Sequence, residues 1–215
     1  AASLALTRAE ADSLVAALAG FFASDGLEFS APVPDRWYVR VPPGEWPSTT
    51  PLDDAVGRNV FGMLPSEGKR IRWRAAVTEA QMLLAAHPVN AAREAAGRPA
   101  INGVWFWGGG EWPGTIATPF ASVFADHVLA RGLAIAGGVA PSSLPARLAA
   151  VPASPSDTLV VLDQLTAPLR RGDVNEWIAA AEALDQNWFA GLGEAASGHA
   201  GVRVVLPGDR DTAVF

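Results

Sequence analysis

The chain has no cysteine, which excludes disulfides, thiolate nucleophiles, iron–sulfur clusters and zinc ribbons together. The redox compartment stays open, because a cysteine-free protein suits either environment. There is no basic run, and 22 acidic side chains outnumber 16 Lys and Arg for a formal charge of −6. That balance argues against nucleic acid or an anionic membrane surface as a partner. No stretch approaches the ~20 uninterrupted apolar residues of a membrane-spanning helix. The first apolar segment is broken by Arg8, Glu10 and Asp12 and lacks a basic leader. It is therefore not read as a signal peptide, and the expected location is the cytoplasm.

Histidine is scarce as well. Only His87, His127 and His199 occur, in neither H-x-x-x-H nor D-x-H spacing. A two-metal site needs a cluster of such ligands holding ions ~3.5–4 Å apart, so neither a metal nor a cofactor is expected. The G-x-S-x-G elbow, the P-loop and the dinucleotide fingerprint are missing too. Gly108, Gly109 and Gly110 lead into Glu111, Trp112 and Pro113 rather than into a helix.

What is present is an ordinary globular composition, with 215 residues, half of them hydrophobic and 18% charged. The chain is read as one α/β domain over residues 1–215: a layered sandwich with a largely parallel central sheet flanked by helices. Thr7 and Glu10 have capping-box spacing before an apolar stripe at Leu14, Val15, Leu18, Phe21 and Phe22, which predicts a helix ended by Asp25-Gly26. Arg36 to Val41 alternates as a half-buried strand stopped by Pro42-Pro43. Residues 42–68 form a long loop dense in Pro, Gly and Thr, which is more often functional or packed on itself than idle.

A second helix is read over Ala75–Ala86, broken at His87-Pro88, with a short helix from Asn90 to Gly97. Gly103–Trp107 reads as an apolar, aromatic strand. A strand at Ser122–Phe124 leads to a helix from Asp126 to about Ala136, and residues 138–157 read as an internal surface connection. Strands at Thr158–Leu162 and Val202–Leu206 flank a long helix whose cap pair is Asp173 and Glu176.

Candidate chemistry concentrates between His87 and Pro113. Ligands in open α/β sheets gather at the carboxyl ends of strands, where Gly108, Gly109 and Gly110 would lie. Their N–H groups suit an anion, and Arg93 offers a bidentate partner. Each candidate also has a plainer reading. The glycines make a tight turn, with Trp105 and Trp107 in a core. His87 caps the C-terminus of the helix before it. Asn90 and Asn102 are turn residues, Asp126 caps its helix, and Arg131 is a packed or solvated side chain. Asp163, at the end of a strand, is the most tempting acid but has no second acid near it.

The order HPVN (87–90), Arg93, PAIN (99–102), an aromatic segment ending WGGG (107–110), Pro113 and ADHVLARGLAIAG (125–137) resembles the archaeal-type cofactor-independent phosphoglycerate mutases of the alkaline-phosphatase superfamily. The TLVVLDQ segment (158–164) and the helix from Glu176 to Gly191 resemble the stretch that follows there. RWYVR (36–40), TTPL (49–52), QMLLAAHPVN (81–90) and WFWGGG (105–110) are similar to a short bacterial family of RpfE-type regulatory proteins.

In the full mutases a strand like TLVVLDQ precedes metal-holding Asp and His residues, and an upstream segment brings a Ser nucleophile. Here Asp163 is followed by QLTAPLRRGD, without His, and the nucleophile-bearing half has no counterpart. The resemblance implies a fold and a phosphate-ester pocket, not mutase activity. The expectation is a catalytically degenerate regulator sensing a small phosphorylated or anionic ligand. Its ligand-binding residues would be His87, Asn90, Arg93, Asn102, Gly108, Gly109, Gly110 and Arg131, with no catalytic residue assigned. The alternatives are an active mutase or phosphatase, and a protein-interaction module using tryptophans around the 42–51 loop and Trp112.

Overall fold

The computed structural model describes residues 4–66, 68–197, 201–207 and 212–214. His199 lies outside the described residues. The chain forms a mixed helix and strand structure whose contacts divide it into two compact units, one running to Trp112 and the other starting at Pro113.

The first unit opens with helix α1 (Arg8–Phe21). Thr7 accepts from the Glu10 N–H and the Glu10 carboxylate accepts from the Thr7 N–H, the reciprocal cap that the spacing predicts. The helix buries Ala11, Leu14, Val15 and Leu18. Strand β1 (Glu28–Val33) pairs antiparallel with β2 (Arg36–Arg40). The short helix α2 (Leu52–Ala55) follows within the long loop, then α3 (Trp73–Ala85) and α4 (Pro88–Ala95).

One apolar core joins Leu14, Leu18 and Phe22 with Leu27, Trp73, Val77, Ala80, Leu84, Ile101 and Phe106. Phe106 lies edge-on to Trp73, with ring centroids 5.2 Å apart. Gly103–Trp107 is therefore core-packing chain, but it is not the strand expected: no ladder forms there. Phe106 reaches the core, while the Trp105 indole N–H donates 2.9 Å to the Thr50 carbonyl. Side-chain anchoring takes the place of backbone pairing.

The second unit carries β3 (Ser122–Phe124), α5 (Val128–Ala136), β4 (Thr158–Val160), α6 (Thr166–Arg171), α7 (Val174–Leu184), α8 (Leu192–Ser197), β5 (Val205–Pro207) and β6 (Thr212–Val214). β3 and β4 run parallel, in register from Ser122 opposite Thr158 to Phe124 opposite Val160. Ser142 bridges the other edge of β3, its N–H donating 2.9 Å to the Val123 carbonyl. Val123, Ala125 and Ala134 form a small core beneath this pair. β5 and β6 are an antiparallel pair. Among the described residues the strands thus make three two-stranded sheets, one of them parallel.

Two caps differ from the sequence reading. His87 caps the N-terminus of α4 rather than the C-terminus of α3, because Pro88 supplies a first helical residue that needs no N–H partner. Asp126 does not cap α5; His127 holds that position, and the Asp126 carboxylate accepts instead from the Leu144 N–H at 3.2 Å.

Candidate functional site

The HPVN segment turns between α3 and α4. The His87 Nδ1 accepts from the Val89 N–H at 3.2 Å, so this imidazole nitrogen serves the helix start. Asn90, 1% exposed, points inward. Its amide nitrogen donates to the Leu84 and Ile101 carbonyls, each at 2.7 Å, and its oxygen accepts from the Ile101 N–H at 2.7 Å. Both donors and the acceptor are committed to the backbone, which ties the end of α3 to the segment entering the core.

Arg93 is fully buried. Its Nε donates 2.7 Å to the Pro99 carbonyl, one terminal nitrogen donates 3.1 Å to Glu10 Oε2, and the other donates to the Leu4 carbonyl. Arg98 reaches the second Glu10 oxygen at 2.7 Å. Arg93, Arg98 and Glu10 form an ionic knot that, with the Leu4 and Pro99 carbonyls, joins the N-terminal segment, α1 and α4. A buried guanidinium in an apolar surround requires such pairing.

The Thr7 N–H, aided by its hydroxyl and by Arg98, holds the Glu10 carboxyl at about 2, against the opposing cost of burial. A folded-state value below the unfolded one adds stability above the ordinary Glu range, which is lost as pH falls toward 2. Glu10→Gln is expected to lower the urea midpoint at pH 7. It should also flatten the decline between pH 5 and 2.5 relative to the parent. Parallel declines in the two proteins would show that Glu10 does not drive the acid response.

Asn90 and Arg93 both turn into the fold, Asn90 toward the Leu84 and Ile101 backbone and Arg93 toward Pro99, Leu4 and Glu10. Each of the three Arg93 nitrogens has a partner within the fold. Asn102 is exposed, next to Ile101. Arg131 belongs to the second unit, where it donates 2.9 Å to the Ala125 carbonyl at the end of β3.

Gly108, Gly109 and Gly110 are exposed. Gly108 has φ 70°, a left-handed conformation that an L side chain adopts only with strain. Its flanks are the feature that composition alone does not locate. Trp107 is 52% exposed and Trp112 is 66% exposed, whereas Trp105, half-buried, is pinned to Thr50. Trp73 and Trp188 lie in cores. The result is a hook: an anchored indole, a glycine turn and two indoles open to solvent.

The 42–51 loop touches this hook at two places, Thr50 and Trp46. Trp46 is half-buried, and a Cβ placed on Gly109 would stand 3.5 Å from the Trp46 Cβ. The long loop is packed rather than loose, since the Ser66 N–H donates 3.0 Å to the Ser48 carbonyl and the Ser48 N–H donates 2.8 Å to the Ser66 hydroxyl.

Among the described residues, no three metal-ligating side chains converge, and no helix is long and apolar enough to cross a membrane. No protein-family model matches the chain, and no curated protein or solved structure matches it either.

Proposed function

We propose that this chain is a phosphoglycerate-mutase-like regulatory protein that works by binding rather than by turnover, and that the Trp105–Trp112 hook is its contact surface. The observation that carries the binding surface is the pair of open indoles on an anchored turn. Large aromatic side chains held on a restrained backbone supply contact area at little cost in conformational entropy, and tryptophan dominates binding hot spots. The regulatory assignment comes from the motifs shared with RpfE-type proteins. A catalytically degenerate mutase-like chain agrees with the use of Asn90 and Arg93 as internal ties. A layered sandwich with a largely parallel sheet is part of the same reading, and the β3–α5–β4 unit with its parallel pair supports it.

The preferred partner is a protein or peptide with an apolar or aromatic face. Peptides selected from a random library on the immobilised full chain are expected to bind the hook. Trp107→Ala with Trp112→Ala should then weaken them at least tenfold while thermal unfolding stays that of the parent, because both side chains are exposed. Peptides that bind both proteins equally would overturn the hook.

A second reading is favoured by the exposed glycine backbone: a small anionic ligand held by the N–H groups of Gly108 to Gly110. Arg93 takes no part in it.

A further inference from the structure

Glu45 is 5% exposed in a loop otherwise rich in Pro and Gly, and its carboxylate and backbone bond to neighbouring backbone and to the Trp73 indole. Its Oε2 accepts from the Arg70 N–H at 2.8 Å and from the Ile71 N–H at 3.2 Å. Its own carbonyl accepts from the Trp73 indole N–H at 2.8 Å, and its N–H donates 3.1 Å to the Pro42 carbonyl. A side chain at Gly68 would crowd this carboxylate, since a Cβ there would lie 3.0 Å from Glu45 Oε2 and 3.1 Å from the Ile71 carbonyl. The carboxylate is held below the ordinary Glu range by the Arg70 N–H first, against burial, with the Ile71 N–H and the charges of Arg70 and Lys69 adding to it.

We infer that Glu45 is a latch that fixes the tryptophan hook to the core at a distance. Residue 46 follows it directly, and Trp46 lies under Gly109. Four residues further on, the Thr50 carbonyl receives the Trp105 indole. The 42–51 loop is thus clamped on one side by Arg70, Ile71 and Trp73 and carries the hook on the other. The path from carboxylate to hook runs along the 45–50 backbone and then through the Trp105–Thr50 hydrogen bond and the close approach of Trp46 to Gly109. Closing the latch holds Trp107 and Trp112 in one presentation; opening it lets the hook move without unfolding α1 or the β1–β2 pair. Glu45 is a positioning residue, with no contact to a ligand of its own.

This inference rests on the hook reading, but its test contains no partner, so the two fail separately. Hydrogen exchange on the full chain gives the readout. In Glu45→Ala the Arg70 and Ile71 amides and the Trp105 indole N–H should exchange at least tenfold faster, with the buried amides of α1 unchanged. Glu45→Gln keeps a carbonyl oxygen for the same two N–H groups and should restore most of the protection at all three positions. Faster exchange at Arg70 and Ile71 with an unchanged Trp105 indole would overturn the coupling. So would an equal acceleration everywhere, α1 included. If Glu45→Ala does not fold, Glu45→Gln alone decides: a smaller acceleration shared by Arg70, Ile71 and Trp105 supports the latch, and one confined to Arg70 and Ile71 contradicts it.

Discussion

Arg93→Ala should cost about 3–5 kcal/mol of folding stability, the range found when one partner of a buried ion pair is removed. The loss has three parts. The Pro99 and Leu4 carbonyls lose their donor, the Glu10 carboxylate, 13% exposed, keeps Arg98 but loses one of its two cations among the described residues, and the space of a fully buried side chain is left behind. Arg93→Lys should not rescue it, because a single ammonium cannot reach partners spread along a planar guanidinium. Urea denaturation checks both. A stable Arg93→Ala protein with weakened anion binding would instead make Arg93 a ligand group and return the knot to the binding site.

Asn90→Asp is the second large effect. It changes one atom and almost no volume, yet it turns the donor facing the Leu84 and Ile101 carbonyls into an acceptor. An ionised carboxylate would then stand against two carbonyl oxygens in a buried position, and ionisation there is opposed by both burial and repulsion. Each lost buried hydrogen bond costs about 1–3 kcal/mol when its partner is left unsatisfied. A loss of at least 3 kcal/mol in urea denaturation is expected, larger at pH 7 than at pH 4 because protonation restores a donor. A change below about 1 kcal/mol would mean that Asn90 does not tie α3 to the Ile101 segment.

How much of this could be read from the chain depends on how local the interactions are. The α1 cap was visible because Thr7 and Glu10 are three residues apart and bond each other. The same holds for Asp173, whose side chain accepts from the Glu176 N–H. β2 showed through its alternation, but its partner β1 was hidden because Glu28 and Pro32 weaken the strand pattern of EFSAPV. α6 has only six residues, too few to show a helical period.

The knot is not legible in the sequence for a different reason. Glu10 and Arg93 are 83 residues apart, and a polar His-Pro-Val-Asn turn followed by Arg looks the same in sequence whether it faces a ligand or the backbone. The sequence offers Asn90 and Arg93 as ligand contacts, but their burial and internal partners are tertiary properties. The exposed tryptophans had the opposite problem. Eight Trp in one chain are equally compatible with cores and surfaces, and only packing separates Trp73 from Trp107 and Trp112.

The measurement closest to the central claim is calorimetric titration of the purified chain with 3-phosphoglycerate, with and without Mn²⁺, with the same samples assayed for conversion to 2-phosphoglycerate. The account predicts no conversion under either condition, and any binding heat should be the same with or without the metal. Mn²⁺-dependent heat accompanied by conversion would contradict it and make the chain an enzyme.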